Sequence, residues 1–190
     1  ISRYLRNLYM RILEQPEVQV DFFNGKTVSR AMPDQAEPAT WIRSTDKIWK
    51  LPDAAVFGLR SIHWLLFERR LRNILKRGKY DVYHETAFTP SAIKQKAPQV
   101  FTLHDLSLMH YRSYHPKERV WFSDLFFHRR IHEASQIIVP SRFIKEEVCS
   151  ALSLPETRVT PIPEAPDPFF SPRSQNEIHE ATTRLVLPHT

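Results

Sequence analysis

The chain has 190 residues, 42% of them hydrophobic and 25% charged, which is the composition of one globular domain. No apolar run approaches the roughly 20 residues of a membrane-spanning helix, and a single cysteine, Cys149, excludes an internal disulfide and favours a reducing compartment. The net charge of +6 favours an anionic partner without identifying it, and three glycines leave no Gly-rich phosphate loop.

The N-terminal part of the chain predicts a helix, a strand and a long loop. Residues 2–13 carry apolar side chains at helical spacing, and Pro16 ends this helix. Val18, Val20 and Phe22 then alternate with polar residues, which is typical of a half-buried strand that stops at Asn24-Gly25. Residues 24–55 show no sustained period, and we expect a loop there.

The remaining sequence alternates between helices and strands. An amphipathic helix is predicted over 59–75, with an inner face formed by Leu59, Ile62, Leu66, Phe67, Leu71, Ile74 and Leu75. Strands are predicted over 80–84, 99–103, 136–139 and 158–163, and helices over 116–134, 141–152 and 175–187. This order predicts an α/β fold, a Rossmann-like parallel sheet with helices on both faces, and places Cys149 in the core.

Polar residues follow the predicted strands at the point where each one ends. They are His84-Glu85, His104-Asp105, Ser141-Arg142 and Glu164. Ligands of open parallel sheets bind outside the carboxyl ends of the strands, so the four groups together indicate a site along one crevice.

Metal binding is the first alternative for these residues. Adjacent His104 and Asp105 are compatible with a metal-dependent phosphohydrolase, but the strand-like residues before them are the wrong context. His128 and His132 share one helix face at i, i+4, yet no third ligand follows at a telling spacing. We therefore predict no metal site and no cofactor.

Four segments between Tyr80 and Pro172 carry a resemblance to a known family. They read YDVYHETAFTP, QVFTLHDLSLMHYRSYHPKERVWF, ASQIIVPSRFIKEEV and RVTPIPEAPDPFFSP. In order and spacing they resemble the D-V-x-H strand, the T-x-H-D strand end, the helix start and the V-x-x-I-P exit of glycosyltransferase family 4. The opening ISRYLRNLY is similar to the first helix of that family.

The resemblance implies the N-terminal, acceptor-side half of a GT-B glycosyltransferase, in which two Rossmann-like domains face a cleft. We expect residues 1–172 to form this half, without the family's first strand, and residues 173–190 to lead toward a C-terminal domain that binds the nucleotide-sugar. It further implies a retaining hexosyltransferase of polysaccharide biosynthesis, with mannose as one candidate for the transferred sugar, that acts on a glycan or lipid-linked acceptor. These residues alone are expected to be inactive.

The resemblance also implies roles for the residues at the strand ends. His104 matches the cleft histidine that lies against the donor sugar, and Asp105 would orient that ring or its loop. The acceptor pocket would be bordered by His84, Glu85, Thr86, Phe88 and Thr89. Ser141, Arg142 and Glu164 would lie on the phosphate or donor side.

The segment 60–79 is strongly basic, with seven Lys or Arg residues against the single acid Glu68. One interpretation is a solvated helix back, and the other is contact with an anionic membrane surface, which suits a cytoplasmic enzyme at the inner face of a membrane. No motif for nucleic-acid binding accompanies the charge. The alternatives to an enzyme half are a stand-alone module that binds a sugar or phospholipid and the metal-dependent phosphohydrolase.

Overall fold

The computed structural model describes residues 2–32, 48, 50–86, 88–93, 96–165 and 171–185. The α-helices in these ranges are α1 (Ser2–Ile12), α2 (Asp53–Arg77), α3 (Ser107–His110), α4 (Lys117–Ile131), α5 (Arg142–Leu152) and α6 (Gln175–Arg184). The strands are β1 (Phe22–Phe23), β2 (Val28–Ser29), β3 (Tyr83–Glu85), β4 (Gln99–Thr102), β5 (Gln136–Val139) and β6 (Val159–Pro161). Short 3-10 turns span Arg112–Tyr114 and Glu156–Arg158.

The predicted parallel sheet is confirmed. In the described part of the chain, β3, β4, β5 and β6 lie side by side in that order, and every neighbouring pair is parallel. Phe101, Ile137 and Val159 from three successive strands are at most 1% exposed and form the centre of the core. Cys149 packs against this core from α5, as predicted, and burial raises the pKa of its thiol.

The strand predicted over 18–22 is wrong in extent. Only Phe22 and Phe23 are strand, and they pair antiparallel with β2 in a separate hairpin. The side chain of Asn24 accepts hydrogen bonds from the backbone nitrogens of Lys26 and Thr27, and Gly25 has a φ of +92°, a conformation that favours glycine. This tight turn folds the chain back at once, so the hairpin packs on α2 and not in the main sheet. Half of the loop predicted over 24–55 lies outside the described residues, and the described half contains β2 and the start of α2 at Asp53.

The inner face predicted for the helix at 59–75 is only partly correct. The helix starts earlier, at Asp53, and its buried residues are Val56, Glu68, Leu71 and Leu75. Leu59, Ile62 and Leu66, predicted to face inward, are 50%, 59% and 46% exposed. The helix carries two apolar stripes, and the one that contains a buried acid packs against α4.

A buried ion pair explains why this face of α2 packs against α4. Glu68 on α2 contacts Arg130 on α4 at 2.6 Å, and the backbone nitrogen of Ala92 donates to the same carboxylate at 2.9 Å. Near the other end of both helices, Arg60 lies 3.3 Å from the buried Glu118. Each buried carboxylate needs its cation, so these pairs fix the rotation of α2 against α4.

Candidate functional site

A cavity of about 340 Å³ opens at the carboxyl end of β4. Its walls come from the loop after β3, from the segment that joins β4 to α3, and from the N-terminal half of α4. The lining includes Phe88, His104, Asp105, His115, Arg119 and Phe127. This is the end of a parallel sheet at which ligands bind, and it is the position predicted from the sequence.

His104 is held in this cavity by Glu164. Its Nδ1 lies 3.1 Å from Oε1 of Glu164, and its ring meets the ring of Tyr4 edge-on at 5.2 Å. The other ring nitrogen, Nε2, is buried and has no hydrogen-bond partner among the described residues. In the tautomer that carries its proton on Nδ1, facing Glu164, Nε2 is a hydrogen-bond acceptor. The site therefore contains a buried group for which no described residue supplies a partner.

Asp105 contacts the loop and not the imidazole. Its Oδ1 accepts a hydrogen bond of 2.7 Å from the backbone nitrogen of Ser107, at the start of α3. Of the two roles expected for this carboxylate, the loop contact is the one present in the structure. The ring is contacted instead by Glu164, which sequence reasoning assigned to the donor side.

His84 lies next to the cavity but uses both ring nitrogens internally. Nδ1 is 2.7 Å from the hydroxyl of Tyr9 on α1, and Nε2 is 2.7 Å from the hydroxyl of Thr102 on β4. Burial lowers the pKa of His84 to about 4, so the imidazole is neutral at physiological pH. This residue joins α1 to the sheet below the cavity that Thr102 lines.

Glu85 is a buried carboxylate with a full set of donors. It accepts hydrogen bonds from the backbone and side chain of Ser91 at 2.9 and 2.7 Å, and from the side chain of Gln99 at 3.0 Å. Burial is the largest influence on its pKa and raises it, against the lowering effect of these bonds. Glu85 thus fixes the loop that follows β3.

Of the other residues predicted for the acceptor pocket, Phe88 lines the cavity, and Thr86 and Thr89 are not among its lining residues. Phe88 is 53% exposed and lines the cavity, and the guanidinium of Arg119 lies 5.6 Å from its ring centroid. Thr86 is half-buried, whereas Thr89 is 1% exposed and its hydroxyl has no hydrogen-bond partner among the described residues. Phe88 is therefore the predicted acceptor residue that the structure brings to the cavity.

Ser141 caps α5, as predicted. Its side chain accepts a hydrogen bond of 3.2 Å from the backbone nitrogen of Ile144, while the adjacent Arg142 is exposed. Neither residue is in the lining of the cavity next to His104.

Sequence reasoning missed Tyr4, His115 and Arg119. Tyr4 comes from α1, far away in the sequence, and no local pattern points to it. His115 and Arg119 flank the start of α4, a few residues beyond the His104-Asp105 strand end. A helix that follows such a strand end begins at the same edge of the sheet, and this signal was present in the sequence.

The described ranges bear on two alternatives raised by the sequence, a metal site and a membrane-spanning helix. Within them, no three His, Cys, Asp or Glu side chains lie close enough together to hold a metal ion. Of the helices in the same ranges, none combines the length and apolarity needed to cross a bilayer.

The sequence was compared with known proteins. The sequence model of Glycosyltransferase Family 4 matches residues 1–168. Over 113 residues the chain is 30% identical to the O-antigen chain mannosyltransferase B of Escherichia coli. The matching region covers 60% of this chain and 29% of that relative, so the chain spans less than a third of its length.

Proposed function

The chain belongs to glycosyltransferase family 4, and from this premise we propose that residues 1–172 form the acceptor-side domain of a retaining hexosyltransferase. The donor is a nucleotide-sugar, and the acceptor is a glycan or a lipid-linked saccharide. The name of the Escherichia coli relative supports mannose as the transferred sugar. Neither a metal nor another cofactor has a part in this proposal.

The observation that carries the proposal is the unpaired Nε2 of His104. A buried polar atom without a partner costs about 1 to 3 kcal/mol, and a ligand that supplies the partner recovers this cost. A sugar hydroxyl is a donor of the right kind, because Nε2 is an acceptor when Nδ1 donates to Glu164. Since Nε2 is covered, the hydroxyl reaches it after a displacement of neighbouring side chains, of which Tyr4 is one.

The chemistry of transfer gives this contact a function. As the bond to the leaving phosphate breaks, positive charge develops on the sugar ring and negative charge on the phosphate. A fixed hydrogen-bond acceptor at the sugar stabilises the transition state when its orientation is set in advance. Glu164 sets the orientation of His104, and Asp105 holds the loop on which both His104 and Asp105 lie.

We assign the acceptor to the side of the cavity that contains Phe88. An exposed aromatic ring offers an apolar surface to the face of a sugar, and Phe88 is held there by a loop that Glu85 fixes. His84 joins the adjoining strand end to α1, and Thr86 and Thr89 flank Phe88 in the same segment. Ser141 and Arg142 remain assigned to the phosphate side, at the N-terminus of α5.

The test is sugar transfer by the natural protein that contains these residues. We expect incorporation of mannose from a nucleotide-linked mannose donor into a lipid-linked saccharide, with the anomeric configuration of the donor kept in the product. The 190 residues alone should not catalyse transfer, because in this family the nucleotide-sugar is held mainly by the second domain. Binding of saccharide without transfer from any sugar nucleotide would support the binding module instead, and metal-dependent release of phosphate would support the phosphohydrolase.

We also propose that α2 rests on an anionic membrane at the cytoplasmic face. Its outward surface is apolar in the N-terminal half, at Leu59, Ile62 and Leu66, and basic in the C-terminal half, at Arg69 and Arg77. Apolar burial together with basic charge is what binds a helix to anionic lipid. Replacement of Ile62 and Leu66 by Asp should abolish flotation with phosphatidylglycerol vesicles, and unchanged flotation would refute the contact.

A further inference from the structure

A second cavity, of about 550 Å³, lies between the C-terminal halves of α2 and α4. It shares no lining residue with the cavity next to His104. Arg119 lines the first cavity and Arg130 the second, and eleven residues of helix separate them by about 16 Å. Arg119, Ser123 and Phe127 of α4 line the first cavity and Leu125, Phe126 and Arg129 the second, so the two cavities lie on different faces of this helix.

The wall of this cavity is fixed by the buried pair described above. Arg130 contacts Glu68 at 2.6 Å, and its guanidinium lies 4.5 Å from the ring centroid of Phe126. The charge of Arg130 is thus already neutralised by a carboxylate. Its part in the cavity is to hold α2, α4 and the ring of Phe126 in a fixed arrangement.

Three further cations line the same cavity, and none of them is paired with a described residue. Arg72 and Lys76 come from α2 and Arg129 from α4. Within the described ranges, these three side chains make no hydrogen bond or ion pair with another residue. Glu133 is the one acid in the lining. With Arg130 neutralised by Glu68, the remaining lining residues carry a net charge of +2.

We propose that this cavity is a binding site for a phosphate-bearing anion. Three cations from two helices around one opening match the charge of a phosphate or pyrophosphate group, and the buried pair of Glu68 and Arg130 already fixes the two helices that carry them. Leu125, which is 59% exposed, and Phe126 add apolar surface beside the cations. The ligand is therefore a phosphate attached to an apolar group, either in a lipid headgroup or in a soluble molecule. The proposal does not depend on the glycosyltransferase activity.

The experiment uses two probes on the 190-residue chain. Inorganic pyrophosphate is titrated by calorimetry, and flotation is measured with vesicles of phosphatidylcholine alone or with added phosphatidylglycerol. The test variant is Arg72→Gln with Arg129→Gln, and the matched control is Arg6→Gln with Lys26→Gln, two exposed cations outside both the cavity and α2. Both remove two exposed positive charges, but only the first removes them from the cavity. Unchanged melting temperatures establish that both variants are folded.

We expect the cavity variant to weaken binding of at least one probe tenfold or more, and the control to change it less than twofold. Loss of pyrophosphate binding indicates a soluble ligand, and loss of vesicle binding alone indicates a lipid headgroup. Equal losses in the two variants would show a general effect of charge and overturn the site. Failure of the wild-type chain to bind either probe would overturn it as well.

Discussion

His104 and Glu164 meet across the end of a strand to which neither belongs. His104 follows β4 and Glu164 follows β6, with β5 between them, yet Nδ1 and Oε1 are 3.1 Å apart. Neighbouring strands are about 4.8 Å apart, so the two side chains close a backbone separation of roughly 10 Å. The carboxylate that sets the imidazole orientation is therefore remote from it in sequence.

This contact predicts the tautomer of His104. We expect the proton on Nδ1, because that nitrogen faces a carboxylate, which can only accept. Glu164→Ala should move the proton to Nε2 in a large part of the molecules, whereas Glu164→Gln retains an acceptor oxygen and should keep it on Nδ1. The nitrogen shifts of the ring in long-range ¹H–¹⁵N spectra measure this directly. A proton on Nε2 in the wild-type protein would contradict the assignment.

His84 predicts how stability depends on pH. Its pKa is about 4 in the folded protein and near 6.5 in an unfolded chain, so the unfolded state binds more protons between these values. The contribution of His84 to the free energy of unfolding should be complete above pH 6.5. It should fall by roughly 3 kcal/mol as the pH approaches 4. Urea unfolding at pH 7 and pH 4.5 measures the change.

The control for this dependence is His84→Gln. Glutamine keeps hydrogen-bonding capacity towards Tyr9 and Thr102 but does not titrate, so the fall in stability on acidification should be smaller in this variant. An identical pH dependence in the two proteins would assign the effect to other groups.

The sequence predicted the order of strands and helices because that order depends on local patterns of apolar residues. The strands predicted at 99–103 and 136–139 are present, because a short apolar run bounded by polar residues is typical of a buried strand. The face of α2 depends on Arg130, which is 62 positions from Glu68, and the partner of His104 is equally remote. Local periodicity carries no information on such pairs.

The buried pair of Glu68 and Arg130 predicts strong coupling between the two residues. Arg130→Met alone leaves an uncompensated buried carboxylate and should cost about 3 to 5 kcal/mol of unfolding free energy. Glu68→Gln with Arg130→Met should cost clearly less than the sum of the single changes. Chemical denaturation of the single and double variants gives the coupling energy. Additive costs would show that the pair does not hold α2 against α4.

Ser141 predicts a loss of stability at the start of α5. Ser141→Ala removes the acceptor for the nitrogen of Ile144 and should lower the free energy of unfolding by about 1 kcal/mol. Ser141→Asp keeps a capping acceptor and should retain most of that stability. If Ser141 also binds phosphate, the alanine variant should raise the KM for the donor in the natural protein. A stability loss with unchanged KM would leave Ser141 as a cap alone.

The last prediction concerns the role of His104 in turnover. Removal of one preorganised transition-state hydrogen bond costs about 3 to 4 kcal/mol, so His104→Ala should lower kcat about 100- to 1000-fold in the natural protein. Its effect on stability should be small, because the substitution also removes a buried nitrogen that has no partner. The edge contact with Tyr4 is the main packing interaction lost, and it is worth about 1 kcal/mol.

Asp105 supplies the comparison that separates chemistry from folding. Asp105→Asn keeps an oxygen that can accept from the nitrogen of Ser107, so the loop should hold and kcat should fall much less than in His104→Ala. Asp105→Ala removes that acceptor and should lower the melting temperature, with a fall in kcat that follows from a displaced His104. Melting transitions and turnover are measured on all three variants under the same conditions. If His104→Ala is destabilised while its folded fraction turns over at the wild-type rate, His104 is a structural residue and the catalytic assignment is wrong.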